Sequence, residues 1–341
     1  MKAVAWTKYG KPGDALKIIE KEKPKPNKVE VLIKVHASTV TAGDVRLRAC
    51  KVPAGFWLLT RLAFGVFKPR KTIPGMDFSG EVEAVGKGVT LFNIGDTVYG
   101  TSGMHLGANA EYICLPEKAA FIKKPEKISH NDAVASLFGG QTAIHFLKEK
   151  AKLVAGQKIL INGASGSVGT ASVQLAKYLG AEVTGVCSTG NIELIKSLGA
   201  DKTIDYTKGS IEIAEEAYDI VLDNVGNLSV SRCNKLLKKN GKLISINAGL
   251  LTNLSAILNK NLISGVAGES KKNIEFLKKL TETGNMRSVI DKIYPLEQIV
   301  EAHKYVDKGH KKGNVVISVT HAPNAGYYSS KEAKTCHKVT M

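Results

Sequence analysis

Residues 158–191 read KILINGASGSVGTASVQLAKYLGAEVTGVCSTGN, and the order of apolar run, glycines and helical period in this stretch decides the fold. KILIN (158–162) is a short apolar run that predicts a buried strand. Glycines at 163, 166 and 169 mark a tight turn. From Ser167 to Leu179 the apolar residues Val168, Ala171, Ala176 and Leu179 recur at helical spacing; Gly180 then stops the helix, and EVTGVC (182–187) predicts a second buried strand. Strand, glycine turn, helix, strand is the form of a dinucleotide-binding half. Its glycines let the backbone approach a pyrophosphate, while the helix N-terminus offers unpaired N–H groups and a positive dipole end. The turn expected to hold a cofactor is thus Gly163, Ala164, Ser165, Gly166, Ser167, Val168 and Gly169. A glycine-tightened turn in another doubly wound sheet has the same spacing, so the rest of the chain must discriminate.

The end of the second predicted strand bears on cofactor choice. An NAD site usually places Asp or Glu about 20 residues after the turn, on the ribose 2′-hydroxyl. Here stand Cys187, Ser188, Thr189, Gly190 and Asn191. No carboxylate repels a 2′-phosphate, and Ser188, Thr189 and Asn191 can donate hydrogen bonds to one, which favours NADPH over NADH. No Arg or Lys completes a phosphate clamp in this run, and Ser188 and Thr189 can equally cap the next helix.

Length and composition bound the remaining choices. A chain of 341 residues predicts two domains, and 43% hydrophobic with 23% charged residues is ordinary for a soluble globular protein. No apolar run approaches the roughly 20 residues that span a bilayer, and MKAVAWTKYG lacks a signal-peptide core, so the expected location is cytoplasmic with no integral membrane segment. The net charge of +17 comes from lysine clusters at 21–28, 68–71, 123–127, 238–242 and 308–312. These sit at turns beside Pro or Gly without interleaved aromatics, which predicts solvated loops and not a nucleic-acid face; a positive surface also steers an anionic cofactor. The five cysteines are scattered, with no C-x-x-C pair, and suggest neither a disulfide framework nor a thiolate metal site.

Around the central unit the pattern divides. Residues 1–125 are strand-rich, with 29–38, 77–86 and 96–100 separated by Gly and Pro turns. DAVASLFGGQTAIHFLKEKA (132–151) predicts helical segments broken at Gly139–Gly140. Strands at 158–162, 182–187, 203–206, 218–223, 242–247 and 262–267 then alternate with helices, the mark of a doubly wound parallel sheet. Helices over 271–284 and 296–309 and a strand over 313–319 follow; the polar tail 321–341 is expected to be disordered.

Several motifs in this order resemble the medium-chain dehydrogenase/reductase superfamily, in its zinc-independent quinone oxidoreductase branch. VLIKVHASTVTAGDVRLR is similar to the family's strand and catalytic-loop entry, and IPGMDFSGEVEAVGKGVTLFNIGDTVYG to its barrel signature. GASGSVGTASVQLAKYLGAEVTGV matches its cofactor turn, SLGADKTIDY its third-strand entry and KGNVVISV its last strand. The resemblance implies an α/β protein with a GroES-like β-rich catalytic domain (1–125), a Rossmann NADP-binding domain (126–268) and a return to the catalytic domain over 269–320. It also implies a homodimer, with the nicotinamide in the cleft between domains.

Zinc-dependent members carry Gly-His-Glu where this chain has Gly75-Met76-Asp77, and a thioether does not replace an imidazole on Zn²⁺. The family's catalytic-loop Cys falls in Ser38–Thr41, where there is no thiol, and the four-cysteine structural lobe is missing. His36, His105, His130, His145, His303 and His310 show no ligand spacing, so no metal is expected.

The resemblance implies NADPH-dependent hydride transfer to quinones or α,β-unsaturated carbonyls, with an alcohol dehydrogenase/carbonyl reductase or a weakly catalytic NADPH-binding adaptor as alternatives. Candidate catalytic residues in the loop entry are Thr41, Asp44 and Arg46; many relatives have Asn-Pro and a Tyr there, which this chain lacks. Further cofactor positions it implies are Thr142, Tyr206, Asn224, Val225, Ala248, Gly249, Leu250 and Asn314. The apolar segment FWLLTRLAFG (56–65) is open to three readings: a lid for flat apolar substrates, a dimer contact, or a membrane-surface contact.

Overall fold

The computed structural model describes residues 1–208, 216–268 and 270–319, so the expected disordered tail lies outside the described residues. The N-terminal part holds strands β1 (Lys2–Trp6), β2 (Leu16–Glu20), β3 (Glu30–Val40), β4 (Asp77–Val85), β5 (Thr97–Thr101), β6 (Tyr112–Pro116) and β7 (Phe121–Lys123). Helices α1 (Pro12–Ala15), α2 (Ala42–Ala49) and α3 (Trp57–Phe64) interrupt them. Next come α4 (His130–Ala143), β8 (Lys158–Asn162), α5 (Ser167–Tyr178), β9 (Glu182–Cys187), α6 (Ile192–Ser197), β10 (Lys202–Asp205), β11 (Tyr218–Asp223), α7 (Val230–Leu236), β12 (Leu237–Ser245), α8 (Leu250–Leu258) and β13 (Leu262–Ser264). The chain finishes with α9 (Lys271–Glu282), β14 (Ile290–Pro295), α10 (Ile299–Asp307) and β15 (Asn314–Ser318).

The apolar runs become two sheets. One has the order β10-β9-β8-β11-β12-β13 with every pairing parallel. This is the Rossmann order, whose direction of winding reverses between β8 and β11 and leaves a crevice at their carboxyl ends. Ile159, Leu160 and Ile161 of β8 are fully buried, as expected of a strand covered by helices on both faces. The other sheet has the order β14-β15-β3-β4-β5-β7, with β6 also pairing β3. Its strands β3 to β7 pair antiparallel and enclose Val31, Ile33, Val35, Phe78, Val82 and Phe121. β15 pairs antiparallel with β3, from Val315 opposite Val40 to Ser318 opposite Ala37, so the chain returns to the first sheet after completing the second.

One expectation is corrected. The helix over His130–Ala143 runs through Gly139 and Gly140 without a break and continues as a wider π-type helix over Ile144–Lys150. These glycines serve packing. A Cβ on Gly139 would lie 2.2 Å from the Ser167 carbonyl oxygen, and one on Gly140 would lie 2.7 Å from Leu277 Cδ1. Close approach of α4 to α5 and α9 outweighs the modest helix penalty of glycine.

Two predictions follow from the interior. Gly139→Ala forces α4 away from the start of α5 and is expected to destabilise by about 1–3 kcal/mol, read as a lowered Tm. His303 on α10 is fully buried, and neither ring nitrogen has a partner among the described residues. Loss of water, with Arg48 nearby, holds its pKa at about 3 against an ordinary 6.5. Below pH 6.5 the unfolded chain therefore binds the proton first, so stability falls as pH drops from 6.5 towards 3. His303→Leu should flatten that decline in a Tm-against-pH series; an unchanged slope would assign the acid sensitivity elsewhere.

Candidate active site

The crevice at the switch point opens into a cleft of about 990 Å³. Its floor is the glycine turn between β8 and α5, and its three glycines answer to three different constraints. Gly163 adopts φ +72, a left-handed conformation that side chains disfavour. Gly169 lets helix meet strand: a Cβ there would lie 2.2 Å from the Gly163 carbonyl oxygen. Gly166 has room for a Cβ, the nearest atom being 3.7 Å away, yet it lines the cleft. The protein itself does not require a glycine at 166; a phosphate brought against the backbone would. Gly166 is also the N-cap of α5, and no side chain caps that helix, so its first-turn N–H groups are left for a ligand.

A ladder of amides spans the carboxyl edge. Asn162 Nδ2, at the end of β8, donates to Asp223 Oδ1 at 2.8 Å and to Asn227 Oδ1 at 2.8 Å. Asn224 Nδ2 donates to the Asn162 carbonyl at 3.0 Å, and Asn247 Nδ2 to the Asn224 carbonyl at 2.6 Å. Asn247 Oδ1 in turn accepts from Arg46 of α2, which ties the first sheet's loop entry to the second sheet. Arg46 is half-buried and lines the cleft.

The returning segment forms the third wall. Gly313 N donates to the Ser165 carbonyl at 2.8 Å, and Ser167 Oγ donates to the Gly313 carbonyl at 2.8 Å. Lys311 Nζ donates to Ser167 Oγ and to the Gly313 carbonyl, and lines the cleft with His310. Loss of water around this ammonium lowers its pKa to about 8, with Asp291 opposing. A cation so placed is charge-matched to a pyrophosphate on the glycine turn.

Beyond the turn, Cys187, Ser188, Asn191 and Tyr206 line the far end. Asn191 Nδ2 donates to Ser188 Oγ at 3.0 Å. Burial pushes the Cys187 thiol up to about 11, so it stays protonated at neutral pH.

The expected site residues divide accordingly. Arg46, Gly163, Ser165, Gly166, Ser167, Val168, Gly169, Cys187, Ser188, Asn191, Tyr206, Asn224 and Val225 are brought together around the cleft. Thr41 and Asp44 are not among its lining residues: Thr41 caps α2, and its Oγ donates to Asp44 Oδ2 at 2.6 Å while that carboxylate also accepts from Thr41 N at 2.8 Å. Burial raises the Asp44 pKa and the bonds from Thr41 oppose it. Thr142 donates back to the Phe138 carbonyl at 2.6 Å inside α4. Thr189 donates to Asp205 Oδ2 at 2.5 Å, so its hydroxyl proton is already engaged. Ala164 packs under the turn. Gly249 and Leu250 meet the loop at Ala54, next to buried Ala248, and Asn314 bonds the Val289 carbonyl at 3.1 Å. Sequence reasoning missed Phe138, Asn162, Asn247, His310 and Lys311; only the lysine cluster at 308–312 carried a local signal. Among the described residues no three His, Cys, Asp or Glu side chains converge where they could hold a metal ion.

Known proteins share this architecture. Residues 27–126 match the alcohol dehydrogenase GroES-like domain, and residues 198–317 match a family described as zinc-binding dehydrogenase. The chloroplast envelope quinone oxidoreductase homolog of Arabidopsis thaliana is 31% identical over 93% of this chain and 98% of its own. The 2-methylene-furan-3-one reductase of Solanum lycopersicum is 33% identical over 93% of this chain and 79% of its own. Among solved structures, the quinone oxidoreductase from Coxiella burnetii superimposes with a TM-score of 0.83 at 30% identity, covering 94% of this chain and 99% of that one. Sheet order, glycine turn and full-length likeness agree: the chain belongs to the medium-chain dehydrogenase/reductase superfamily, a family of nicotinamide-dependent oxidoreductases, in its quinone oxidoreductase-like branch.

Proposed function

We propose that the protein is a zinc-independent, NADPH-dependent reductase of quinones or α,β-unsaturated carbonyls, acting as a cytoplasmic homodimer. The observation that carries this reading is the uncapped glycine turn at the switch point, where Gly166 leaves open the space of a phosphate and Lys311 brings a cation to it. The names of the relatives, quinone oxidoreductases and a 2-methylene-furan-3-one reductase, support the acceptor class. Met76 and the thiol-free Ser38–Thr41 loop support chemistry without zinc, because a thioether replaces the imidazole and no thiol stands where the family's ligand Cys would be.

When bound, NADPH supplies a hydride from nicotinamide C4. The chain's own residues do the rest. Turn amides and Lys311 would hold the diphosphate, and Ser188, bonded by Asn191, would face the ribose end; β9 itself ends without a carboxylate, and Asp205 at the end of β10 is engaged by Thr189. Phe138 and Val45 give the cleft an apolar wall suited to a flat ring. The Arg46 guanidinium, held by Asn247, stands ready to stabilise negative charge growing on an acceptor oxygen, with the proton coming from solvent. Burial lowers the Arg46 pKa, but an arginine stays cationic throughout the neutral range.

Turnover should therefore be seen as loss of nicotinamide absorbance with a benzoquinone, a phenanthrenequinone or an alkenal. It should prefer NADPH to NADH and persist with a strong chelator. Chelator-sensitive turnover, or activity confined to alcohols, would overturn the reading. Arg46→Met should lower kcat by roughly 10²–10³-fold, as removal of one charge-stabilising donor does, with a smaller effect on NADPH affinity. Lys311→Met should weaken NADPH binding at pH 7, and wild-type affinity should decline as pH rises through about 8, where the free ammonium loses its proton. The variant's binding should be flat over that range.

A further inference from the structure

The protons and acceptors around Lys311 do not balance when this side chain is charged. Its Nζ donates to Ser167 Oγ and to the Gly313 carbonyl. Neither partner can give a proton back: a carbonyl has none, and Ser167 Oγ spends its own on the Gly313 carbonyl at 2.8 Å. An ammonium therefore has one proton more than these two partners take. A neutral amine has two protons for two acceptors, and a lone pair that no neighbour among the described residues engages. The surroundings favour the same form. Loss of water lowers the Lys311 pKa to about 8, and the positive end of α5 begins at Ser167. Asp291, the carboxylate that opposes this shift, already accepts from Tyr305 Oη at 2.7 Å and from Lys312 N at 3.0 Å. At neutral pH such a side chain carries on the order of 10²-fold more free amine than a lysine of ordinary pKa.

A free amine reacts only where a reagent reaches it. Lys311 is partly buried and lines the cleft, where Val45 and Phe138 supply an apolar wall. Lys124 is the contrast. It too donates to two carbonyls, of Pro125 at 2.8 Å and Ile128 at 2.5 Å, and burial lowers its pKa. Yet it is only 7% exposed and is not among the residues that line the cleft. Lys11 and Lys51 line the cleft but stand in water. Lys311 joins an unengaged lone pair to an open cleft, and a desolvated lysine of this kind condenses with carbonyl compounds.

We propose that Lys311 is a covalent modification site for aldehydes, open while the dinucleotide is absent and closed while it is bound. The Nζ lone pair adds to the carbonyl carbon and one N–H proton moves to the oxygen. The second N–H proton then leaves with the hydroxyl as water, and a C=N bond forms, with no oxidant or reductant consumed. A bound diphosphate closes the site because it draws the same group, as an ammonium, onto the glycine turn; this half rests on the cofactor reading proposed above. The test treats the full-length protein at neutral pH with limiting propanal and cyanoborohydride, which reduces the imine to a stable propyl amine, and locates the label by peptide mass spectrometry. Lys311 should be labelled at least about tenfold above the mean of the other lysines, and Lys124 hardly at all. Saturating NADP⁺, which has no hydride to give the aldehyde, should lower the Lys311 label about tenfold, with its binding measured by calorimetry beforehand. Treated wild type should bind NADP⁺ about tenfold more weakly. Lys311→Arg keeps the cation but has no free amine at this pH, so its affinity should be the same before and after treatment. Labelling of Lys311 no stronger than that of other lysines, a label that bound NADP⁺ leaves unchanged, or an equal loss of affinity in Lys311→Arg would each overturn the proposal. Failure of NADP⁺ to bind the untreated protein would overturn the cofactor reading and the shielding with it, while the label at Lys311 still decides the modification site.

Discussion

The structure depends on one seam, where the returning chain lies against the glycine turn. Gly313 forms an isolated bridge with Gly166, its N–H reaches the Ser165 carbonyl, and Ser167 Oγ reaches back to its own carbonyl. One residue later the chain enters β15 and pairs with β3. A single tripeptide-sized contact thereby joins the first sheet to the start of α5. Gly313 is fitted to it: φ is +55, and a Cβ would lie 2.2 Å from the Val289 carbonyl oxygen. Without this seam the glycine turn would face open water, and Lys311 and His310 would have no reason to line it.

The same seam explains the electrostatic layout. A turn built to receive an anion concentrates N–H groups and the positive end of α5, and Lys311 adds a further positive charge. Placing a lysine beside a helix N-terminus is unfavourable in isolation, because like meets like. Loss of water around the ammonium depresses its pKa, which adds a second cost to holding it there charged. An anionic ligand relieves both. Across the cleft, the amide ladder from Asn162 through Asn224 and Asn247 to Arg46 fixes the second cation by hydrogen bonds to neutral groups, which leaves its charge uncompensated. The cleft thus has Lys311 bonded at the turn and Arg46 bonded to the amide ladder, cations suited to a diphosphate and to charge on an acceptor oxygen.

Much of this was legible in the sequence, for local reasons. The apolar run KILIN became β8 with the same limits, and EVTGVC became β9, because a strand covered on both faces has no alternative but a continuous apolar run. What escaped was set by tertiary contact. Asn247 has no neighbouring pattern that marks it, and Lys311 has only its place in the lysine cluster at 308–312; the first arrives by the winding of the sheet, the second by the return of the chain. Gly139–Gly140 was misread because the helix penalty of glycine is local, while the benefit of bringing α4 close to α5 and α9 is not. Thr41-Ala42-Gly43-Asp44 did carry its own explanation: Thr followed three residues later by an acid is a capping signature, and the structure uses it as one.

The account stands on a dinucleotide lying between the glycine turn and the returning segment. Hydrogen–deuterium exchange with and without NADPH reads that placement directly. Slowed exchange on binding is predicted for the amides at 163–169 and at 309–313 together, because the diphosphate would occupy the α5 N-terminus and draw Lys311 onto it. Protection elsewhere on the chain, with both of these segments unchanged at saturating NADPH, would contradict it.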